Sequence, residues 1–247
     1  MTLISRHLKK YASLERKKSN EWFFKTGKGQ YGEGDKFIGV RVPDVRKVAK
    51  VFSGLGFMEI KKSLGSEIHE ERLTALLILV ENFKKAKKEK NKKEQSRICK
   101  FYLKNLKRVN NWDLVDLSAH YILGQAILDG LEDEKILDKL SISKNIWERR
   151  VSIISTFAFI RIGDFKPTLR VAKKLLIDKE DLIHKAIGWM LREVWKKNAK
   201  TCEDFLIENY KKLPRTTLRY SIERMEDKER KRFLKGGFRC DKISLGF

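Results

Sequence analysis

Residues 69–85 read HEERLTALLILVENFKK. Leu73, Leu76, Leu77, Val80 and Phe83 recur at three- and four-residue spacing with charges flanking them, the period of an amphipathic helix. The same spacing predicts helices over 92–106, 112–128, 146–162, 168–177, 182–197, 202–210 and 216–225. Pro43 opens another, with Val45, Val48, Ala49 and Phe52 on one side. Polar joints at 107–111, 129–134, 141–145, 178–181 and 198–201 separate these segments. The stretch 37–42, FIGVRV, is apolar enough to suggest a strand, yet too short to be a convincing one. Only three prolines interrupt the 247 residues. The chain reads as all-α.

Helices in pairs at this cadence suggest an α-solenoid. Trp112, Trp147 and Trp189 open or sit inside three of them, at intervals close to the roughly 40-residue repeat of HEAT and armadillo arrays. The expectation is one HEAT-like solenoid domain over 1–235, with a concave basic surface, and a C-terminal tail at 236–247. An irregular helical bundle is the alternative.

Charge points to the partner. Lys and Arg number 56 against 33 Asp and Glu, a net charge of +23. Such a surplus favours a polyanion, because each neutralised phosphate releases condensed counterions. With 41% hydrophobic and 10% aromatic residues, the chain is no disordered basic tail. No apolar run approaches the roughly 20 residues that span a bilayer, and the first residues are too polar for a signal peptide. The three cysteines, Cys99, Cys202 and Cys240, lie far apart in odd number, so neither a disulfide framework nor a zinc site is indicated. The expectation is a reduced, soluble protein of the cytoplasm, nucleoid-associated if prokaryotic. Residues 84–93, KKAKKEKNKK, hold seven lysines in ten; a run of this kind is either a solvated helix end or a phosphate contact.

Two motifs are false leads. GKGQYG (Gly27, Gly29, Gly32) fits G-x-G-x-x-G, but what precedes it looks like a helix end rather than a strand, so it makes no dinucleotide site. His69-Glu70 begins like a zincin motif, yet Leu73 stands where the second ligand belongs. The four histidines are scattered, without metal-ligand spacing.

Three segments carry chemistry. In 185–196, KAIGWMLREVWK, a helix puts Lys185, Trp189, Arg192 and Lys196 within a ~60° sector, opposite Ile187, Met190, Leu191 and Val194. A basic face with an aromatic in its middle suits a nucleic-acid backbone; a core or rim tryptophan is the plainer account. In 111–116, NWDLVD, Trp112 and Asp116 are four apart and share a face. A carboxylate among phosphates needs a reason: either it pairs with an arginine or favours a helix N-terminal turn, or it does chemistry. In 145–154, NIWERRVSII, Arg150 falls on the apolar face with Ile154 and Phe157, while Arg149 lies about 100° away. A guanidinium there must pair with an acid such as Asp116 or clamp an anion.

Taken together with FIGVRVPDVR (37–46), these segments resemble the AlkD-type alkylpurine DNA glycosylases, which are built from HEAT-like helical repeats. The resemblance runs from about residue 20 to about 235. It implies base excision repair: hydrolytic release of cationic N3- and N7-alkylated purines from duplex DNA by a monofunctional glycosylase, without metal or nucleotide cofactor. Carried over by position, the catalytic carboxylate falls on Asp116, the tryptophans that cradle the lesion-bearing nucleotide on Trp112 and Trp189, and the arginine completing the cleft on Arg150. Arg149, Lys185, Arg192 and Lys196 are further candidate DNA contacts. For the family's aromatic at the cleft entrance, Phe24 and Tyr31 are both candidates, with Tyr31 taken as a DNA contact.

A cationic purine leaves as a neutral base, so the second, proton-donating carboxylate of ordinary glycosidases is not required. One carboxylate can stabilise the developing oxocarbenium ion and position water. The expected partner is duplex DNA carrying alkylated purines, met by a monomer without membrane or metal. Two other readings are a non-catalytic nucleic-acid-binding HEAT protein and a HEAT-type scaffold for an acidic protein.

Overall fold

The computed structural model describes residues 2–236, and the chain divides between Ile136 and Leu137 into two compact units. The described residues are helical. Where 37–42 suggested a strand there is only an isolated parallel bridge, Lys36 to Ile68. Of the expected tail, all but Gly236 lies outside the described residues, as does Cys240.

The first unit runs through α1 (Leu3–Leu8), α2 (Leu14–Phe23), α3 (Val42–Val51), α4 (Phe57–Leu64), α5 (His69–Lys88), α6 (Lys92–Lys104), α7 (Trp112–Asp116) and α8 (Gln125–Leu128). The fold is built around α5, on which α3, α4 and α6 pack. The apolar stripe lies inside as expected. The flanking charges do not lie outside: every residue from His69 to Val80 is buried, including Glu70, Glu71 and Arg72. Burying each aliphatic side chain contributes about 1.5–3 kcal/mol, but the charges can stay in such a core only when paired.

Their partners explain the neighbouring loop. Glu70 accepts hydrogen bonds from the backbone amides of Ile38, Gly39 and Val40 at 3.2, 2.8 and 3.2 Å. This accounts for FIGV without a strand, because its amides bond to a carboxylate instead of a neighbouring strand. Gly39 takes φ +78°, and a Cβ there would lie 2.1 Å from the Ser13 carbonyl oxygen, so only glycine fits.

The lysine run is the end of α5 and the start of α6. Lys90 makes the turn at φ 54°, and the Asn91 side chain accepts from the Glu94 amide at 3.0 Å as the N-cap of α6. Lys87 pairs with Asp129 at 2.8 Å, and Lys84 pairs with Glu81 at 2.9 Å while lying over the Tyr121 ring.

The single helix expected over 112–128 is broken. α7 stops at Asp116, a π-helical turn covers His120–Gly124, and α8 follows. At the break the Ser118 hydroxyl donates back to the Leu114 carbonyl at 2.5 Å, a bond that competes with the helix's own ladder.

The second unit begins within α9 (Lys135–Ser141) and continues through α10 (Ile146–Ser155), α11 (Phe157–Arg161), α12 (Lys166–Leu175), α13 (Asp181–Lys197), α14 (Ala199–Glu208), α15 (Arg215–Ser221) and α16 (Asp227–Lys235). Here too an expected helix, 146–162, is divided. Thr156 donates its hydroxyl to the Ile153 carbonyl at 2.7 Å and sits between α10 and α11. α13 is the centre, with α10, α12, α14 and α15 packed on it and Ile183, Ile187, Met190, Leu191 and Val194 fully buried. α15 crosses at Gly188, where a Cβ would lie 2.4 Å from Tyr220 Cβ and 2.7 Å from the Thr217 carbonyl oxygen. The glycine of KAIGW is thus the seat of a helix crossing.

Candidate functional site

In the first unit the candidate residues converge on α7. Asn111 caps it, accepting from the Trp112 amide at 2.8 Å. Within the helix Asp113, Leu114 and Val115 are buried, whereas Trp112 and Asp116 at its two ends are half-buried. The expected shared face of Trp112 and Asp116 is therefore the one that reaches the surface. Trp112 lies parallel to Phe24, with centroids 5.1 Å apart and an 8° angle between the rings, and meets Phe23 edge-on. Phe24 in turn stacks on Phe37 at 4.9 Å. Of the two aromatics left open by the sequence, Phe24 thus stacks on Trp112. Tyr31 donates its hydroxyl to the Phe23 carbonyl at 3.3 Å from the glycine-rich loop.

Beneath α7 lies a cluster that the sequence did not announce. Both nitrogens of His69 face carboxylates: Nδ1 is 3.0 Å from Asp35 Oδ2 and Nε2 is 2.7 Å from Asp113 Oδ2. Arg72 donates to the other Asp35 oxygen at 2.5 Å, and the Asn111 amide nitrogen donates to Asp35 at 2.9 Å. All five residues are buried. Desolvation pushes Asp35 upward, but its bonds to His69, Arg72 and Asn111 outweigh that and leave its pKa below the usual 3.8. For His69 desolvation disfavours the charged ring, yet Asp113 and Asp35 prevail and raise its pKa to about 9. The signal for this cluster was present. Four consecutive polar residues, HEER, open a helix whose next eight residues are all buried, and core positions of that kind demand partners.

In the second unit the candidates occupy α10 and α13. Arg150 is 5% exposed, on the apolar side as expected, and donates to the Leu182 carbonyl near the start of α13. Arg149 is committed elsewhere: it pairs with Asp178 through Nε at 2.5 Å and donates to the carbonyls of Ser143 and Lys144. On α13 the aliphatic side faces the core, and Lys185, Trp189, Arg192 and Lys196 lie off it. This stripe carries its own counter-charges. Lys185 pairs with Asp181 at 2.8 Å, Lys196 with Glu193 at 2.7 Å, and Arg192 with Glu223. The Trp189 indole donates to Glu193 at 3.2 Å and its ring lies 6.0 Å from Phe157.

Cys99 and Cys202 are buried free thiols whose pKa values desolvation pushes up to about 12. Among the described residues no group of three or more His, Cys, Asp or Glu is placed to hold a metal ion, and no helix is long and apolar enough to cross a membrane.

The described chain is thus an all-helical protein in which aromatic residues stand beside a carboxylate on α7 and among cations on α13. The sequence profile of the family described as DNA alkylation repair enzyme matches residues 4–225, and the chain belongs to that family. A solved structure described as a predicted DNA alkylation repair enzyme from Enterococcus faecalis has the same fold, with a TM-score of 0.66 at 17% identity over 87% of this chain and 97% of that one. No curated protein sequence matches the chain.

Proposed function

We propose that this repair protein is a monofunctional alkylpurine DNA glycosylase of the AlkD type, with HEAT-like repeats, acting on duplex DNA as a monomer without metal or nucleotide cofactor. The observation that carries the reading is α7. Of its two carboxylates, Asp113 is buried against His69, whereas Asp116 shares the half-exposed face with Trp112.

In the proposed reaction the C1′–N bond of an N3- or N7-alkylated purine breaks, and its electron pair leaves with the base. The base was cationic and departs neutral, so no proton donor is required. Asp116 stabilises the positive charge growing on the sugar and orients the water that adds to C1′. Trp112, backed by Phe24, lies along the sugar and backbone. Trp189 has the same part, Arg150 and Arg192 grip phosphate, and Lys185 and Lys196 add backbone contacts. Arg192, Lys185 and Lys196 exchange Glu223, Asp181 and Glu193 for phosphates. Arg149, paired with Asp178, and Tyr31 are further backbone contacts.

The test is release of 7-methylguanine from a duplex oligonucleotide by the wild type beside Asp116→Asn. A loss of about 10²- to 10³-fold in the single-turnover rate is expected, the magnitude typical of one electrostatic stabiliser. Full activity in a folded Asp116→Asn would sink the assignment. No release by either protein, with salt-sensitive duplex binding intact, would leave a non-catalytic DNA-binding protein.

A further inference from the structure

We propose that His69 is a positioning residue which, as a doubly protonated ring, pins α7 to the loop at Asp35 and so sets the aim of Trp112 and Asp116. A carboxylate oxygen only accepts, and a neutral imidazole has one donor and one acceptor. His69 nevertheless lies within hydrogen-bond distance of a carboxylate at both nitrogens, 3.0 Å to Asp35 and 2.7 Å to Asp113. Both contacts are hydrogen bonds only if the ring is an imidazolium or one carboxyl holds a proton. Asp35 is a poor candidate for that proton, because Arg72 and Asn111 also donate to it. At Asp113 the other oxygen accepts from the Leu114 amide at 2.9 Å.

The charges close around this arrangement. Asp35 faces the ring from the loop after α2, Asp113 from α7 and Arg72 from α5 itself. Arg108, between α6 and α7, donates to the carbonyls of Leu64, Gly65 and Ser66 at the turn from α4 to α5, where Arg72 also donates to Ser66. The two carboxylates are thus balanced by the imidazolium and the Arg72 guanidinium. The Phe37 ring, stacked on His69 with centroids 4.5 Å apart, adds attraction for a cation, and the Phe24 ring lies tilted beside it at 5.0 Å. The pKa of about 9 agrees with this charge state at neutral pH.

The consequence for α7 follows from its length. Five residues form no stable helix by themselves, so tertiary bonds must hold α7 in place. Asp113 to His69 and Asn111 to Asp35 are two of them, and the ring contacts from His69 to Phe24 and from Phe24 to Trp112 are a third route to the same helix. A ring that loses its charge forfeits one carboxylate contact, and the residues on either side of Asp113 shift with it.

The catalytic part of this inference rests on the glycosylase reading, so the experiment has two arms. The first needs no activity. Two-bond proton–nitrogen spectra of the ¹⁵N-histidine-labelled chain should show both His69 nitrogens protonated at pH 7.5, and a neutral tautomer there overturns the proposal. The second compares single-turnover release of 7-methylguanine by the wild type, His69→Gln and His69→Gln/Asp113→Asn. The glutamine amide can donate to Asp35 while its oxygen accepts from the side-chain amide that Asp113→Asn introduces, so the double variant restores a matched pair of bonds. The single variant should lose about 10- to 100-fold in rate, as misplacement by about an ångström does, with duplex Kd within about threefold; the double variant should recover most of the loss. Equal rates, or a loss that the double variant does not reverse, overturn the positioning role. If His69→Gln does not fold, the spectra still decide the charge state on which the proposal stands. A wild type that releases no base refutes the glycosylase reading and leaves the first arm to judge His69.

Discussion

Raising the pH should destabilise the first unit through His69, and the structure sets the size of the effect. The folded ring has a pKa of about 9 against an ordinary 6.5. Each pKa unit corresponds to about 1.36 kcal/mol, so the charged ring contributes about 3 kcal/mol. Because the folded value is raised, that contribution is complete below about pH 6.5 and is lost as the pH climbs through about 9. Asp35 works in the opposite sense: its pKa is lowered, so its share is present above 3.8 and is lost in acid. The cluster is therefore most stabilising between the two limits. A background effect must be removed, since a chain of net charge +23 sheds self-repulsion as pH rises and should gain stability on that account. His69→Gln carries the same background without the titrating ring. Urea midpoints at pH 6 and pH 9.5, followed by far-ultraviolet circular dichroism, should fall with pH in the wild type relative to the variant. With a urea slope of about 1–3 kcal/mol/M, the relative shift is about 1–3 M. Identical pH dependence in the two proteins would refute the reasoning, because the ring would then gain nothing from its two carboxylates.

Two further perturbations probe the packing that presents the candidate residues. Gly188→Ala gains about 1 kcal/mol of helix propensity, but the new methyl meets Tyr220 Cβ at 2.4 Å and the Thr217 carbonyl at 2.7 Å. Overpacking costs about 1–3 kcal/mol and should win, so Tm falls; a raised Tm would mean that α15 gives way freely. Glu70→Ala removes the acceptor of three backbone amides in 38–40 at about 1–3 kcal/mol for each one left buried without a partner. Hydrogen exchange should rise first across 37–42; unchanged exchange there would show that the loop is held by its other contacts.

The fold class was legible because apolar spacing reports which side of a helix meets the core, and that is a local property. Leu73 to Phe83 on α5 and Ile187 to Val194 on α13 were readable in this way, and both are buried. The order of Trp112, Asp116, Arg150 and Trp189 was legible as motif. The divisions of 112–128 and 146–162 were not. Ser118 and Thr156 stand at the breaks and bond to a carbonyl of the preceding turn, but Thr74 makes the same kind of bond inside unbroken α5, so a hydroxyl in the sequence does not mark a break. The short helices α1, α4, α9 and α16 also escaped the reading, because few turns give the period little room to declare itself.

The larger miss concerns what periodicity assumes about charge. Reading a charged residue as solvent-facing works when its partner is water, and it fails when the partner is distant in sequence. His69 finds Asp35 and Asp113 at separations of 34 and 44 residues, and Glu71 meets Thr2 across 69. No local window holds both members of such a pair. Asp113 and Asp116 show the cost, since they stand three apart in one short helix and look equivalent in the sequence. A histidine on another helix separates them, drawing Asp113 into the core and leaving Asp116 beside Trp112 at the surface. The carboxylate proposed for chemistry is therefore set apart from Asp113 by burial, which follows from a histidine 44 residues away from Asp113 in the chain.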